Sequence, residues 1–194
     1  GNITMQNSKS HLALRALVEG AIFVAVAYVL GLIKIYHLPQ GGSISLLMLP
    51  ILFYAVRWGV GHGMVAGCAL GIIDFMLGGG IAIGWQSILG DYVIACTLLG
   101  LAGLFRKKNW SLFAGIIAGS LGRFLSIWVT GATLWGEYMP ENFLGLDMTN
   151  EWFYSFLYNG VPIFLSMALC LVVGGVLYAI PRLRVYLLGQ DISK

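Results

Sequence analysis

Apolar stretches alternate with short polar breaks along the whole chain, and the breaks predict where helices end. Stretches of roughly 20 apolar residues cross a bilayer as helices, and the sequence parses into about six of them. The first covers about 12–36, with Arg15 and Glu19 spaced to pair on one helix face and so lower their burial cost. His37-Leu-Pro-Gln-Gly-Gly-Ser43 then breaks helix geometry. A second helix, about 44–58, is short for a span. Its Pro50 predicts a tilt, kink or partial re-entry. A tight turn around 57–62 leads into a third span ending near Leu77, and Gly78-Gly-Gly80 marks the next turn. The fourth helix covers about 83–105, closed by Arg106-Lys-Lys108; the fifth covers about 112–135. A longer loop over 136–150 precedes a sixth helix over about 151–180, ending at Pro181 and Arg182.

The expected fold class is therefore an all-α membrane protein with a six-helix transmembrane domain over 12–180. A tag remnant and N-terminal segment (1–11) precede it, and a tail (181–194) follows. The first apolar stretch is too long for a cleavable signal peptide and lacks a cleavage site. No convincing internal repeat is visible, which weighs against an inverted-repeat transporter.

Charge sets the orientation. Only 10% of residues are charged against 59% hydrophobic. Lys9, Arg15, Arg57, Arg106, Lys107, Lys108, Arg182, Arg184 and Lys194 all fall on one side of the parse. Lys34 falls opposite and Arg123 within a span. Loops rich in Lys and Arg stay inside, so both termini are expected in the cytoplasm of a multi-pass, bacterial plasma-membrane protein. The outer face carries Glu137, Glu141, Asp147 and Glu151. The net charge of +3 reflects the inner loops and gives no argument for nucleic acid.

Catalysis has little to work with. Gly-x-Ser-x-Gly, His-Glu-x-x-His and Walker A patterns are missing, and His11, His37 and His62 stand beside no candidate nucleophile. Cys68, Cys96 and Cys170 lie in apolar segments without paired spacing and read as small packing residues. The expectation is a non-enzyme without metal or cofactor. Stripes of Gly63, Gly67 and Gly71, and of Gly115 and Gly119, suit close helix packing. Ala21-x-x-x-Ala25, extended by Ala13 and Leu17, either packs inside the bundle or offers a flat face to a partner protein. Spacing alone leaves both open.

Charged groups inside spans need a reason. Asp74, Asp91 and Arg123 are the candidates, and two readings stand. Either Arg123 pairs with Asp74 or Asp91 to lock helices, or Asp91 faces a pocket and meets a cationic or amino-bearing ligand. Trp85, Tyr92, Trp135, Tyr138, Trp152, Tyr154 and Tyr158 map to the outer half. An interfacial belt explains Trp152, with Trp58 and Trp110 on the inner side. It explains less well the common depth of Asp91-Tyr92, Trp135 and Tyr154…Asn159. Carboxylate, amide and aromatic faces together suit a flat, nitrogen-rich cation.

Several segments resemble one family. Leu38-Pro-Gln-Gly-Gly-Ser-Ile-Ser45, Leu49-Pro-Ile51 and Tyr54-x-x-Arg-Trp-Gly59 resemble the thiamine-specific S components of energy-coupling factor transporters. So do Gln86…Asp91-Tyr92, Leu98-Leu-Gly-Leu-Ala-Gly-Leu-Phe105 and Gly122-Arg-Phe124 with Gly131. Trp135-Gly-x-Tyr138 and Tyr154-Ser-x-x-Tyr-Asn-Gly160 complete the likeness, which covers about residues 12–180. The resemblance implies a six-helix substrate-binding subunit that captures a vitamin from outside. It implies partners too: a transmembrane coupling protein bearing two cytoplasmic ATPases.

On this resemblance Asp91, Tyr92, Trp135, Tyr154 and Asn159 bind substrate, with Gln86 and Trp85 beside them. Pro39, Gln40, Gly41, Gly42 and Ser43 form a gating loop, and Ala21 and Ala25 contact the coupling protein. The chain departs from the family where a His is usual two turns before the Trp: Ile127 stands there. Val161-Pro-Ile163 also replaces Ser-Tyr-Met, and Pro162 predicts a kink. Thiamine is the expected ligand; a pyrimidine, thiazole or pyridine compound is the alternative. A stand-alone carrier using Asp91 and Arg123 as a relay is a third reading.

Overall fold

The structure, a computed structural model, describes residues 2–39 and 41–192. Five helices are long and apolar enough to span a membrane: α1 (Asn2–Leu32), α3 (Val60–Leu77), α4 (Trp85–Phe105), α5 (Ser111–Leu134) and α6 (Glu151–Tyr178). The expected sixth, α2 (Leu49–Trp58), has only 10 residues. It lies within the bundle, with Leu49–Leu52 and Tyr54–Arg57 all buried. A helix this short and apolar all round is a core element held on every side by longer ones. Pro50 sits in its first turn, where a missing N–H costs nothing, so the kink predicted there does not form.

Glycine contacts bring the long helices together. A Cβ on Gly67 or Gly71 would strike the Cys96 or Tyr92 carbonyl, so the α3 stripe rests on the α4 backbone. Gly115 and Gly119 face the carbonyls of Ala102 and Leu99 in the same way. Close backbone approach of this kind supplies the packing that hydrophobicity alone cannot in lipid. The centre is filled by Ile51, Leu52, Leu70, Cys96, Leu99, Ile116 and Cys170, each buried. The cysteines are free, as expected.

Two small hairpins cap one end. Strands β1 (Tyr36–His37) and β2 (Ser43–Ile44) pair antiparallel, so α1 stops at Leu32, short of the expected Tyr36. In the longer loop, β3 (Asn142–Phe143) pairs with β4 (Leu146–Asp147). Helix α6 runs unbroken through Pro162. The tail is not extended: α7 (Pro181–Leu187) folds back against α2.

That return is held by a buried cation. The Arg57 side chain is 0% exposed, although the sequence places it in a turn. Its guanidinium donates to Glu19 of α1 at 2.7 Å, to Asp191 beyond α7 at 2.7 Å, and to the Tyr186 carbonyl. The Tyr186 ring lies 3.7 Å from its central carbon. Arg15 joins Glu19 at 3.0 Å, the expected pairing, and also reaches Asp191. Burial alone would push the Asp191 carboxyl up, but the Arg57 and Arg15 guanidiniums outweigh it and hold it below the ordinary carboxylate range.

Candidate functional site

Asp91 sits in an irregular stretch of α4. Residues Trp85–Ile88 are α-helical, Leu89–Val93 form a π turn, and Ile94–Thr97 are again α-helical before a 3₁₀ stretch, Leu98–Phe105. Single π turns inside α-helices concentrate at functional positions. Asp91 Oδ2 accepts a hydrogen bond from Trp135 Nε1 at 2.9 Å. Trp135 follows the last turn of α5, and its ring packs 5.7 Å from that of Tyr138. The ion pairs among the described residues all belong to the Arg57 cluster, so the Asp91–Arg123 and Asp74–Arg123 locks do not form. Asp91 is a half-buried carboxylate held by an indole, with no cation bonded to it.

A polar cavity of about 190 Å³ opens nearby. Lys34, Asp74 and Arg123 supply charge, Ser43, Ser45, Ser166 and Asn159 supply hydrogen-bonding groups, and Ile127, Pro162 and Ile163 form an apolar wall. Arg123 Nε is buried there with no hydrogen-bond partner among the described residues, a costly state that a bound polar group would relieve. Asn159 is fixed by donating to Ser155 Oγ at 3.1 Å, while Ser155 donates to the Trp128 carbonyl. Gly131, one turn before Trp135, leaves room for Asn159: a Cβ there would come within 2.8 Å of its Nδ2.

The first hairpin closes over this cavity. Gly41 and Gly42 have φ of 110° and 81°, a region that suits glycine. A Cβ on Gly41 would lie 2.7 Å from the Tyr158 hydroxyl, and one on Gly42 2.9 Å from Pro162. Ser45 N–H donates to Ser166 Oγ at 3.3 Å, tying the loop to α6. Pro39 is exposed, and Gln40 lies outside the described residues.

The remaining candidates are spread more widely. Tyr92 accepts a hydrogen bond from the Ile81 N–H at 3.1 Å, packs on Phe75, and lies within electrostatic reach of Asp74, Asp91 and Arg123. Tyr154 packs on Phe143 and Tyr158 beside the lid. Of the predicted substrate residues only Asn159 lines the cavity; Asp91, Tyr92, Trp135 and Tyr154 do not, nor do Trp85 and Gln86, which are exposed. Ser45, Ser166 and Lys34 were not singled out by the sequence. Only the Ser43–Ser45 part of the loop motif lay near a signal that could have found them.

A larger concavity lies elsewhere. An apolar groove of about 1120 Å³ runs between α1 and α3, lined by Leu17, Gly20, Ala21, Ala25, Val65 and Ala69 among others. Ala21 and Ala25 are exposed on it. It offers almost nothing polar to orient a small solute.

Known proteins decide the family. Residues 17–184 match a family described as Thiamine transporter protein (Thia_YuaJ). The chain belongs to this thiamine transporter family. It is 30% identical over 183 residues to "Thiamine transporter ThiT" of Bacillus subtilis, spanning 86% of this chain and 92% of that one. It is 34% identical over 205 residues to "Thiamine transporter ThiT" of Lacticaseibacillus paracasei, spanning 95% and 98%. A solved structure of ThiT from Listeria monocytogenes shares the fold, with a TM-score of 0.77 at 24% identity over 88% of this chain and 97% of that one. Proteins of this thiamine transporter family are transporters, not enzymes. Bacterial relatives and five apolar helices make this a multi-pass plasma-membrane protein.

Proposed function

We propose that this chain is the substrate-binding S component of an energy-coupling factor importer, capturing thiamine from outside. The observation that carries this is the Asp91–Trp135 pair, joined through Gly131 and Asn159 to a polar cavity under a glycine lid. Thiamine is a flat cationic thiazolium joined to an aminopyrimidine, with a hydroxyethyl arm. Asp91 supplies the countercharge, Trp135 and Tyr154 supply ring faces, and Asn159 meets the pyrimidine edge. Ile127 packs against a ring where a His would also hydrogen-bond. The cavity's serines and Arg123 suit the hydroxyl arm.

At about 190 Å³ the cavity is smaller than the usual small-molecule site of roughly 300–1,000 Å³. The ligand therefore enters with displacement of the Gly41–Ser43 lid, which is the gating role proposed for that loop. We assign both termini to the cytoplasm on the distribution of Lys and Arg, with residues 44–48 and short α2 together making the return crossing that brings Arg57 back beside Glu19 of α1. The α1–α3 groove, with Ala21 and Ala25, is the proposed seat for an apolar helix of the coupling protein, whose two ATPases drive uptake. Reconstitution tests this reading. Liposomes holding this chain alone are expected to bind thiamine without accumulating it, and those with the coupling module and ATP to accumulate it. Accumulation by the chain alone would establish a stand-alone carrier instead.

A further inference from the structure

We infer that Ser126 is a positioning residue that sets the direction of Asp91 by holding the π turn of α4. Its relevance to binding rests on the thiamine reading; its geometry does not. One extra residue in a helix rotates everything beyond it by about 100° relative to a regular α-helix. Asp91 lies inside that extra turn, so its bearing relative to the anchored half of α4 depends on the turn persisting. The closing bond runs from the Ile94 N–H to the Leu89 carbonyl, five residues back. π turns are rare interruptions of an α-helix, and this one is braced from outside.

Ser126 supplies the brace from α5. Its hydroxyl donates to the Gly90 carbonyl at 2.7 Å, in the residue before Asp91. Thr130, one turn on, donates to the Ser126 carbonyl at 2.8 Å. Thr130 also fills the space where a Cβ on Gly90 would sit, so α5 presses against the turn while Ser126 bonds to it. Trp135, immediately after the same helix, donates to the Asp91 carboxylate. Helix α5 thus grips the π turn twice, once by its backbone and once by its carboxylate. Without Ser126 the Gly90 carbonyl loses this donor in a setting where water is scarce, and the turn is free to relax towards regular α-helix.

Ser126→Ala is the test, read in two ways. In ligand-free protein, the indole N–H resonance of Trp135, assigned by its loss in Trp135→Phe, is expected to shift in Ser126→Ala and return in Ser126→Thr. Thiamine affinity is expected to fall about tenfold in Ser126→Ala and recover in Ser126→Thr. An indole resonance and affinity both at wild-type values in Ser126→Ala would overturn the inference. If wild type binds no thiamine, the capture reading fails, while the indole resonance still judges the role of Ser126. Should Ser126→Ala not fold, Ser126→Cys, a weaker donor, is expected to shift the resonance partway, and an unshifted resonance would again overturn the inference.

Discussion

The Trp135 indole donates to the Asp91 carboxylate at 2.9 Å, joining the end of α5 to the π turn of α4. Each residue is half-buried, the bond orients the carboxylate, and no ion pair among the described residues engages it. In the proposed reading, a cationic ring arriving beside it would meet this carboxylate as its countercharge.

Removing that charge isolates its role. Asn at 91 still accepts from the indole but carries no countercharge. Asp91→Asn is expected to weaken thiamine binding by about 10–100-fold, the equivalent of one charged hydrogen bond of about 1.5–3 kcal/mol. Isothermal titration with thiamine checks this, and unchanged affinity would remove Asp91 from the site.

Steric change at the lid acts on rates. A side chain at Gly42 meets Pro162 and an unfavourable φ together. Gly42→Val is expected to hold the hairpin off the cavity and speed thiamine release by about tenfold, with a smaller change in association. Stopped-flow displacement measures both.

The proposed docking role of the groove predicts that capture and transport can be separated. Ala21→Trp with Ala25→Trp fills the α1–α3 surface without touching the cavity. Thiamine affinity is expected to stay within about twofold, while co-purification of the coupling protein and ATP-driven uptake are lost. Uptake at the wild-type rate would move the docking face elsewhere.

Arg57 governs stability. Arg57→Met strands Glu19 and Asp191 in a half-buried setting, and a loss of about 3–5 kcal/mol is expected. It would appear as a lower thermal midpoint in detergent. Asp191 adds a pH dependence. Its carboxyl titrates below its ordinary value in the folded state, so its contribution is full above that ordinary value and is lost as pH falls through the depressed one. Tail docking, followed by proteolysis near α7, is expected to hold from pH 8 to 5 and fail only below about pH 4.

The sequence carried the membrane class and the helix order, because apolar run length is a local signal. Three features were not legible. The brevity of α2 was hidden because residues 44–48 are nearly as apolar as the helix they precede, and the pairing of Ile44 in the hairpin and the turn over 45–48 remove them from it. The π turn was hidden because α4 is apolar on most faces and gives no period to interrupt. Arg57 looked like a loop cation because its partners, Glu19 and Asp191, stand far away in the chain. Uniform apolarity hides the first two, and contacts between distant segments hide the third, neither of which a local pattern records.

The most direct test is a titration of thiamine against the tryptophan fluorescence of the purified protein. Trp135 stacking predicts tight, saturable quenching in wild type, abolished in Trp135→Phe and shifted to higher thiamine concentration in Asp91→Asn. Quenching that persists unchanged in Trp135→Phe, or its complete absence from folded, monodisperse wild type, would contradict thiamine capture at this site.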